Sequence, residues 1–578
     1  MTHTVQKPKR GEKLTGTTWV LISLLALATG CTSPTPSAER VSQPSEQPRI
    51  NRTVVVIGRE VTSLAGKPLQ GRSGSVGGVV APFNAALDMR DGAGKPIPQL
   101  AEALPQLNTD SWRVFPDGRM ETTYKLRPNL TWQDGHPLGA DDFVFSWRVY
   151  LTPVFGTSGP PINYIDEVQA PDARTLVIRW QQLYPDAGVL GPIGLPPFPR
   201  HILEQSFQEM DPVAFAGLPF WVSEYVGVGP FRVERFEPGA WIEAAAFDGY
   251  VFGRPKIDRM RLQFIQDPNT AMANLLAGEG HFITDFLIGP EEARSLELQW
   301  QAQGAVGFID ETPTIVRFTS FQFRPHLINP ALLGDARVRK AIASAIDNEA
   351  ALEAITYGKG KIVPGPVPDT HDFWPAVEGT IPRYVYDPRI AQQYLEEVGL
   401  TRGADGFYRA PGGGPFTFEY AFIQQASNGR ENAIFVDSLR RAGLDATSRT
   451  YTQAELLTPG ARASFQALFT GSGTLLTSLT LQEIPSPENR WQGQNYGGWE
   501  NADLDRLKKR FDVTLEPSAR AQLLIEMDRI FYDQLPGIAH YLTPTVNAWS
   551  PNLRDVVARS QNPTVVPLDH IYKWDWKS

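Results

Sequence analysis

From Met120 to Arg127 apolar and polar side chains alternate. Met120, Thr122, Tyr124 and Leu126 lie on one side, and Glu121, Thr123, Lys125 and Arg127 on the other. A period of two predicts a strand with one buried face. Asp134-Gly135 predicts a turn. The period then changes, because Phe143, Trp147 and Tyr150 recur at i, i+4 and i+7. That is one buried face of a helix. Asp141 and Asp142 open it, where carboxylates suit the positive end of the helix dipole.

The same switching of period runs down the chain. A helix follows Asp335, a good N-cap, with Val338, Ala341, Ile342, Ala345 and Ile346 as its apolar stripe, and is expected to end by Gly358. Another starts at Asp387-Pro388 and stops at Gly399. A third is introduced by Asp267-Pro268-Asn269-Thr270 and stops at Gly278. Strand-like runs at Thr175–Trp180, Ile257–Ile265, Pro415–Phe422 and Ala467–Thr470 lie between the helices. Strands alternating with helices indicate an α/β chain. The 49 prolines and 50 glycines are spread throughout, which fits many short loops.

The beginning of the chain has a different pattern. Lys7, Lys9, Arg10 and Lys13 precede an apolar stretch from Trp19 to Ala28, and then comes Ala28-Thr29-Gly30-Cys31. A basic region, a short apolar core and small residues make a secretory signal. The apolar core is far below the roughly 20 residues of a membrane-spanning helix. Residues 32–48 are rich in Ser, Pro, Thr and Gln, and such a segment buries too little surface to fold. Ordered structure is expected to begin near Arg52, at Val54-Val55-Val56-Ile57. Removing residues 1–30 takes away four basic residues and one acid, so the formal net charge moves from −9 to −12. That balance argues against nucleic acid as a partner. Cys31 is the single cysteine, so neither a disulfide nor a thiolate metal site can form within the fold.

The segment ending at Cys31 resembles the lipobox of bacterial lipoproteins, with Ala28 where leucine is usual. The resemblance implies that Cys31 bears a lipid, that 1–30 is a signal peptide and that 31–49 is a flexible tether. Further matches are collinear. They include Glu60-Val61-Thr62-Ser63-Leu64, Leu126-Arg127-Pro128, Trp132-Gln133-Asp134-Gly135 and Ala140-Asp141-Asp142-Phe143. Gly227-Val228-Gly229-Pro230-Phe231, Asp335-Ala336-Arg337-Val338-Arg339, Tyr386-Asp387-Pro388 and Gly498-Trp499-Glu500-Asn501 follow. In this order they resemble the family-5 extracytoplasmic solute-binding proteins of ABC importers, the oligopeptide, dipeptide and nickel receptors.

The resemblance implies a two-lobed periplasmic-binding-protein-like fold with a hinge and an extra subdomain inserted in lobe I. Lobe I would take 50–80, 230–312 and 541–578, the inserted subdomain 81–229, and lobe II 313–540. The chain would cross between lobes near Phe308–Val316 and His540–Thr545. It implies a lipid-anchored, extracytoplasmic monomer that captures a peptide-like or other small solute and delivers it to a membrane permease. It implies no catalytic residue, no cofactor and no metal. The ligand-facing patches would be Glu60, Val61, Thr62 and Ser63 after the first strand, then Thr284, Asp285 and Phe286, and Gly471, Ser472 and Gly473 from lobe II. Asp285 is expected to face the cleft and accept from a ligand donor. Peptide receptors of the family carry a lobe II aspartate, just after a Gly-Trp pair, that meets the ligand's amine. An ungapped reading puts Leu475 there, and Glu483 is the next acid.

Other chemistries find little support. The histidines are scattered, without an i, i+4 pair around a glutamate. No Gly-x-Ser-x-Gly elbow and no phosphate loop is present. Carboxylate pairs for glycan hydrolysis stay open, since such partners are distant along a chain. The leader and tether would suit an envelope glycan hydrolase too, or a relative of the receptors that signals or assists folding without transport. Trp132, Trp147 and Trp499 are expected in the core, while Trp491 flanks a Gln/Asn/Gly-rich loop.

Overall fold

Val54, Val56 and Ile57 are buried because the strand β1, Thr53–Gly58, lies inside an eleven-stranded sheet. The computed structural model describes residues 52–69 and 77–577, except positions 156, 158, 305, 364, 381, 425, 474, 490 and 492. The expected signal segment and tether, with Cys31, lie outside the described residues.

The other sheet strands are β2 (Phe231–Glu237), β3 (Trp241–Ala246), β4 (Arg259–Phe264), β5 (Phe282–Ile283) and β6 (Phe308–Phe321). They continue as β7 (Lys361–Ile362), β8 (Thr417–Ile423), β9 (Asp445–Tyr451), β10 (Leu468–Ser472) and β11 (Gly537–Trp549). Their spatial order is β9-β8-β10-β6-β11-β5-β1-β4-β3-β2, with β7 also on β11. β1 runs parallel to β4 and β5, and β8 parallel to β9 and β10. The long strands β6 and β11 are antiparallel and join the two halves of the sheet.

Three larger apolar clusters, and a small fourth of Val316, Val363 and Leu542, fill the described part of the fold. One contains Tyr124, Trp132, Tyr150, Trp180 and Phe198, and packs around β1–β4 and a separate four-stranded sheet within 112–180. A second contains Phe318, Phe321, Tyr420, Phe435 and Leu524, around β6 and β8–β10. A smaller third contains Ile57, Leu275, Leu296 and Val546. The architecture is α/β and two-lobed.

At the crossing, Pro313 of β6 stands opposite Pro544 of β11, and the register shifts between Pro313 and Ile315. Proline has no N–H to give to a ladder, so both strands lose a donor at one level. A second register shift follows between Arg317 and Phe318. Such irregularities bend a strand and locally raise its twist.

The helices follow their predicted signals, with one difference. Ala140–Tyr150 buries Phe143 and Tyr150 completely and Trp147 in part, and Asp142 accepts from the Gly139 N–H at 2.9 Å. Pro268–Ala277 ends on left-handed Gly278, as a glycine stop should. The helix expected from Asp335 to Gly358 is two helices, Ala336–Ala345 and Asn348–Thr356. Ile346 is extended, and the Asp347 side chain accepts from the Ala350 N–H at 2.9 Å, capping a new start.

Candidate ligand-binding site

The carboxyl ends of β1 and β5 form one edge. The Thr284 N–H donates to Ile57 O at 3.0 Å, so the loop after Gly58 lies beside Thr284–Phe286. The carboxyl ends of parallel strands are where open α/β sheets take ligands. Gly58 is needed there, because a Cβ would meet Val79 at 2.8 Å and Thr284 Oγ1 at 3.2 Å.

The expected residues fare differently along this edge. Glu60 is exposed, and its carboxylate accepts from the Gly239 N–H at 2.8 Å, tying the loop to the β2–β3 turn. Val61 is buried and Thr62 exposed. Ser63 Oγ accepts from the Ala65 N–H at 3.2 Å. Thr284 is buried, while Phe286 is 43 % exposed at φ 64°. A bulky side chain in the left-handed region is strained, and strain of that kind gathers at ligand sites.

Asp285 departs from the expectation. It is buried and paired with the Arg559 guanidinium, so its counter-charge is already supplied from within the protein. The Arg559 and Ser560 N–H groups in turn donate to Asp310 at the start of β6. Asp285 thus fastens the loop after β5 to the C-terminal segment, and a solute's amine would have to displace Arg559 to reach it.

The second edge is the end of β10. Gly471 is buried against the Phe318 ring, where a Cβ would come within 2.8 Å. Gly473 has φ 140° and donates to Val316 O at 3.1 Å. Ser472 is exposed and accepts from Arg317 Nη1 at 2.7 Å. Arg317 is the centre of this edge. Its Nε donates to Glu431 Oε1 at 3.0 Å, and its Nη2 reaches Glu431 Oε2 and, at 3.3 Å, Asn428 Oδ1. The Tyr541 hydroxyl donates to the same carboxylate. Burial works against the Arg317 charge, but Glu431 beside it outweighs burial and raises the pKa above the ordinary arginine value. The two side chains form a buried ion pair.

Directly behind lies His540. Nδ1 faces Asn348 Oδ1 at 2.7 Å, an acceptor, so Nδ1 carries the proton and Nε2 accepts from the Thr319 hydroxyl at 2.7 Å. Thr319 in turn accepts from Tyr420. Burial, with Arg317 adding to it, pushes the imidazole down to about 3. His540 is expected to stay neutral well below 6.5, which imidazole NMR shifts across an acid titration will show. Its folded pKa lies below its unfolded one, so the unfolded chain takes the proton first. The stability held by the neutral ring is present above pH 6.5 and is lost as pH falls toward 3. Titration of His540 near 6.5 would contradict the bonding pattern.

The two edges meet through neighbours in sequence. Arg430, next to Glu431, reaches Glu291 of the helix Pro290–Gln303 at 2.6 Å. Arg317, Glu431 and Tyr541 were not among the expected residues. Their trace in the sequence is Arg317 standing within the otherwise uncharged run Thr312–Phe323. Leu475 is buried in the second apolar cluster, and Glu483 accepts from the Gln494 N–H at 3.2 Å. Trp499 is buried and Trp491 exposed. Among the described residues no group of three or more His, Cys, Asp or Glu side chains could hold a metal ion, and no helix is long and apolar enough to cross a membrane.

A family model described as bacterial extracellular solute-binding proteins, family 5 Middle, matches residues 95–478. The chain belongs to the family 5 bacterial extracellular solute-binding proteins. It is 24 % identical to the dipeptide-binding protein of Escherichia coli over 486 residues, 79 % of this chain and 83 % of that one. The oligopeptide-binding protein of Thermus thermophilus, solved with a pentapeptide, superposes with a TM-score of 0.73 at 21 % identity, covering 91 % of this chain and 96 % of that one. NikZ of Campylobacter jejuni, solved with Ni(L-His), has a TM-score of 0.73 at 18 % identity and covers 91 % of this chain and 99 % of that one.

Proposed function

We propose that this protein is the substrate-binding component of an ABC importer. It takes a small solute between its lobes, closes on it, and delivers it to a permease without chemistry of its own. A lipid on Cys31 holds it to the outer side of a membrane, and residues 32–49 act as its tether. Lobe I comprises 50–80, 230–312 and 541–578 with 81–229 inserted, and lobe II comprises 313–540.

The observation that carries this reading is the crossing of β6 and β11. Two strands join the halves of the sheet, and both lose a ladder donor at the Pro313–Pro544 level. A bend there moves one lobe against the other while each keeps its own apolar core. A solute that touches both lobes stabilises the closed form by its differential affinity for it. The E. coli dipeptide receptor and the peptide- and nickel-bound structures support the class.

The ligand is neutral, or blocked at its amine. Leu475 offers no carboxylate, Glu483 is held by its own loop, Asp285 already has Arg559, and Glu60 is tied to the Gly239 N–H. An ammonium closed into such a site would lose its hydration uncompensated, at a cost of several kcal/mol. The polar groups at the edges suit hydrogen bonding from Ser472 and the Gly473 backbone instead.

A thermal-shift panel tests this, with free-amine di- to pentapeptides set against their N-acetylated forms, sugars and nickel–histidine. A ligand at 100 times its Kd should stabilise by about 2.7 kcal/mol. Only neutral or blocked compounds are expected to raise Tm, and X-ray scattering with a hit should show a smaller radius. Micromolar binding of free-amine peptides that acetylation abolishes would refute the ligand class. An unchanged radius at saturation would refute the closing cleft.

A further inference from the structure

We propose that lobe II carries a second binding site, distinct from the cleft edges, for a small organic ammonium group, with Asp528 as its anion. Asp528 lies within the helix Pro517–Gln534 and is 6 % exposed. Among the described residues no hydrogen bond or ion pair reaches its carboxylate, yet the side chain lines a cavity of about 40 Å³. Trp374, Tyr384, Phe531 and Tyr532 form much of the remaining wall.

Three features turn this from a packing fault into a site. First, an uncompensated buried carboxylate is costly, and aspartate is also a poor helix former. Burial alone pushes its pKa up to about 6, so at neutral pH most of the population is still ionised and lacks a counter-ion. Second, the walls are fixed. The Tyr384 and Tyr532 rings stack at 4.7 Å, and the Tyr384 hydroxyl donates to Tyr532 O at 2.7 Å. Third, the nearby cations, Arg383 on the cavity wall among them, are turned to aromatic rings instead. The Arg383 guanidinium lies 5.9 Å from the Trp374 ring, and Lys340 Nζ 5.8 Å from that of Tyr532. Both sit against aromatic faces, and neither bonds to Asp528.

An anion at the base of an aromatic wall suits an ammonium group, with Asp528 supplying the charge and the rings lining the approach. The space equals roughly three waters on the scale where one needs about 10–15 Å³. That suits a –CH2–NH3+ terminus. Gly365, Arg383, Tyr384 and Phe531 also line a neighbouring cavity of about 330 Å³. Its aliphatic side chains, among them Val363, Leu535 and Ile538, could receive the rest of an alkyl chain. The ammonium could come from a free alkylamine or from a lysine end on another protein.

Calorimetry on the mature protein tests this with n-butylammonium, Nα-acetyl-lysine methylamide and n-butanol. Both amines are expected to bind and butanol not to. Asp528→Asn, a neutral near-isostere, should weaken amine binding at least tenfold. Acidifying wild type below its Asp528 titration should do the same, which keeps the test valid if the variant folds poorly. Tighter binding of the lysine compound would identify a protein partner, and tighter binding of butylammonium a free amine. Absence of amine binding would mean the cavity holds water only. Equal affinity in Asp528→Asn would place the amine elsewhere. Either result overturns the site, and neither bears on cleft closure.

Discussion

Arg317→Ala is expected to lower folding stability by roughly 3–5 kcal/mol, the usual loss when one partner of a buried ion pair is removed. Glu431 is 2 % exposed and would be left with Tyr541 and no cation. Denaturant unfolding should show the midpoint fall. Glu431→Gln should cost a similar amount, because Arg317 then loses its fork. The double change Arg317→Met with Glu431→Leu should recover most of either loss, since no buried charge is left unpaired. Ser472→Ala removes only one hydrogen bond to Arg317 and should cost about 1.5–3 kcal/mol at most. A loss under about 1 kcal/mol for Arg317→Ala, the level of exposed pairs, would mean that water reaches the pair in the native protein. The point matters for function, because Arg317 holds the end of β10 where Ser472 and Gly473 would meet a solute.

The second large effect is on location. Cys31→Ser should move the protein from the membrane fraction to the soluble fraction, with the folded part unaltered by circular dichroism. The reason is chemical: serine offers no thiol to acylate, so the proposed anchor is lost. Each buried methylene of a lipid chain contributes about 0.8 kcal/mol, so losing the chains removes the membrane affinity outright. Full retention of the variant with membranes would eliminate the anchor.

Much of this fold could be read from local chemistry. β1, the alternating strand at Met120 and the caps at Asp267, Asp335 and Asp387 rest on rules that act within a few residues. The break at Ile346 was less legible, because the apolar stripe continues through it and only the Asp347 cap interrupts the backbone. The site was legible in outline only. The loops after β1, β5 and β10 were expected, and they do end on sheet edges. What their side chains do depends on partners far along the chain. Asp285 meets Arg559, 274 residues away, and Arg317 meets Glu431, 114 residues away. No period or motif carries such a pairing. Asp528 was equally invisible, since an acid in an amphipathic helix ordinarily faces water.

The placement of β11 has a consequence for how the chain is made. This strand closes the β6 ladder and also pairs with β5 and β7, so both halves of the sheet stay unfinished until Trp549 is available. A chain emerging amino-terminus first must therefore hold β5 and β6 each with an open edge while nearly all of it is synthesised. Contacts this distant slow folding and prolong the time in which unpaired strands can aggregate. If the chain is exported as proposed, the same delay would favour it, since a chain that cannot finish its sheet before the last strand is made stays unfolded for passage through a membrane.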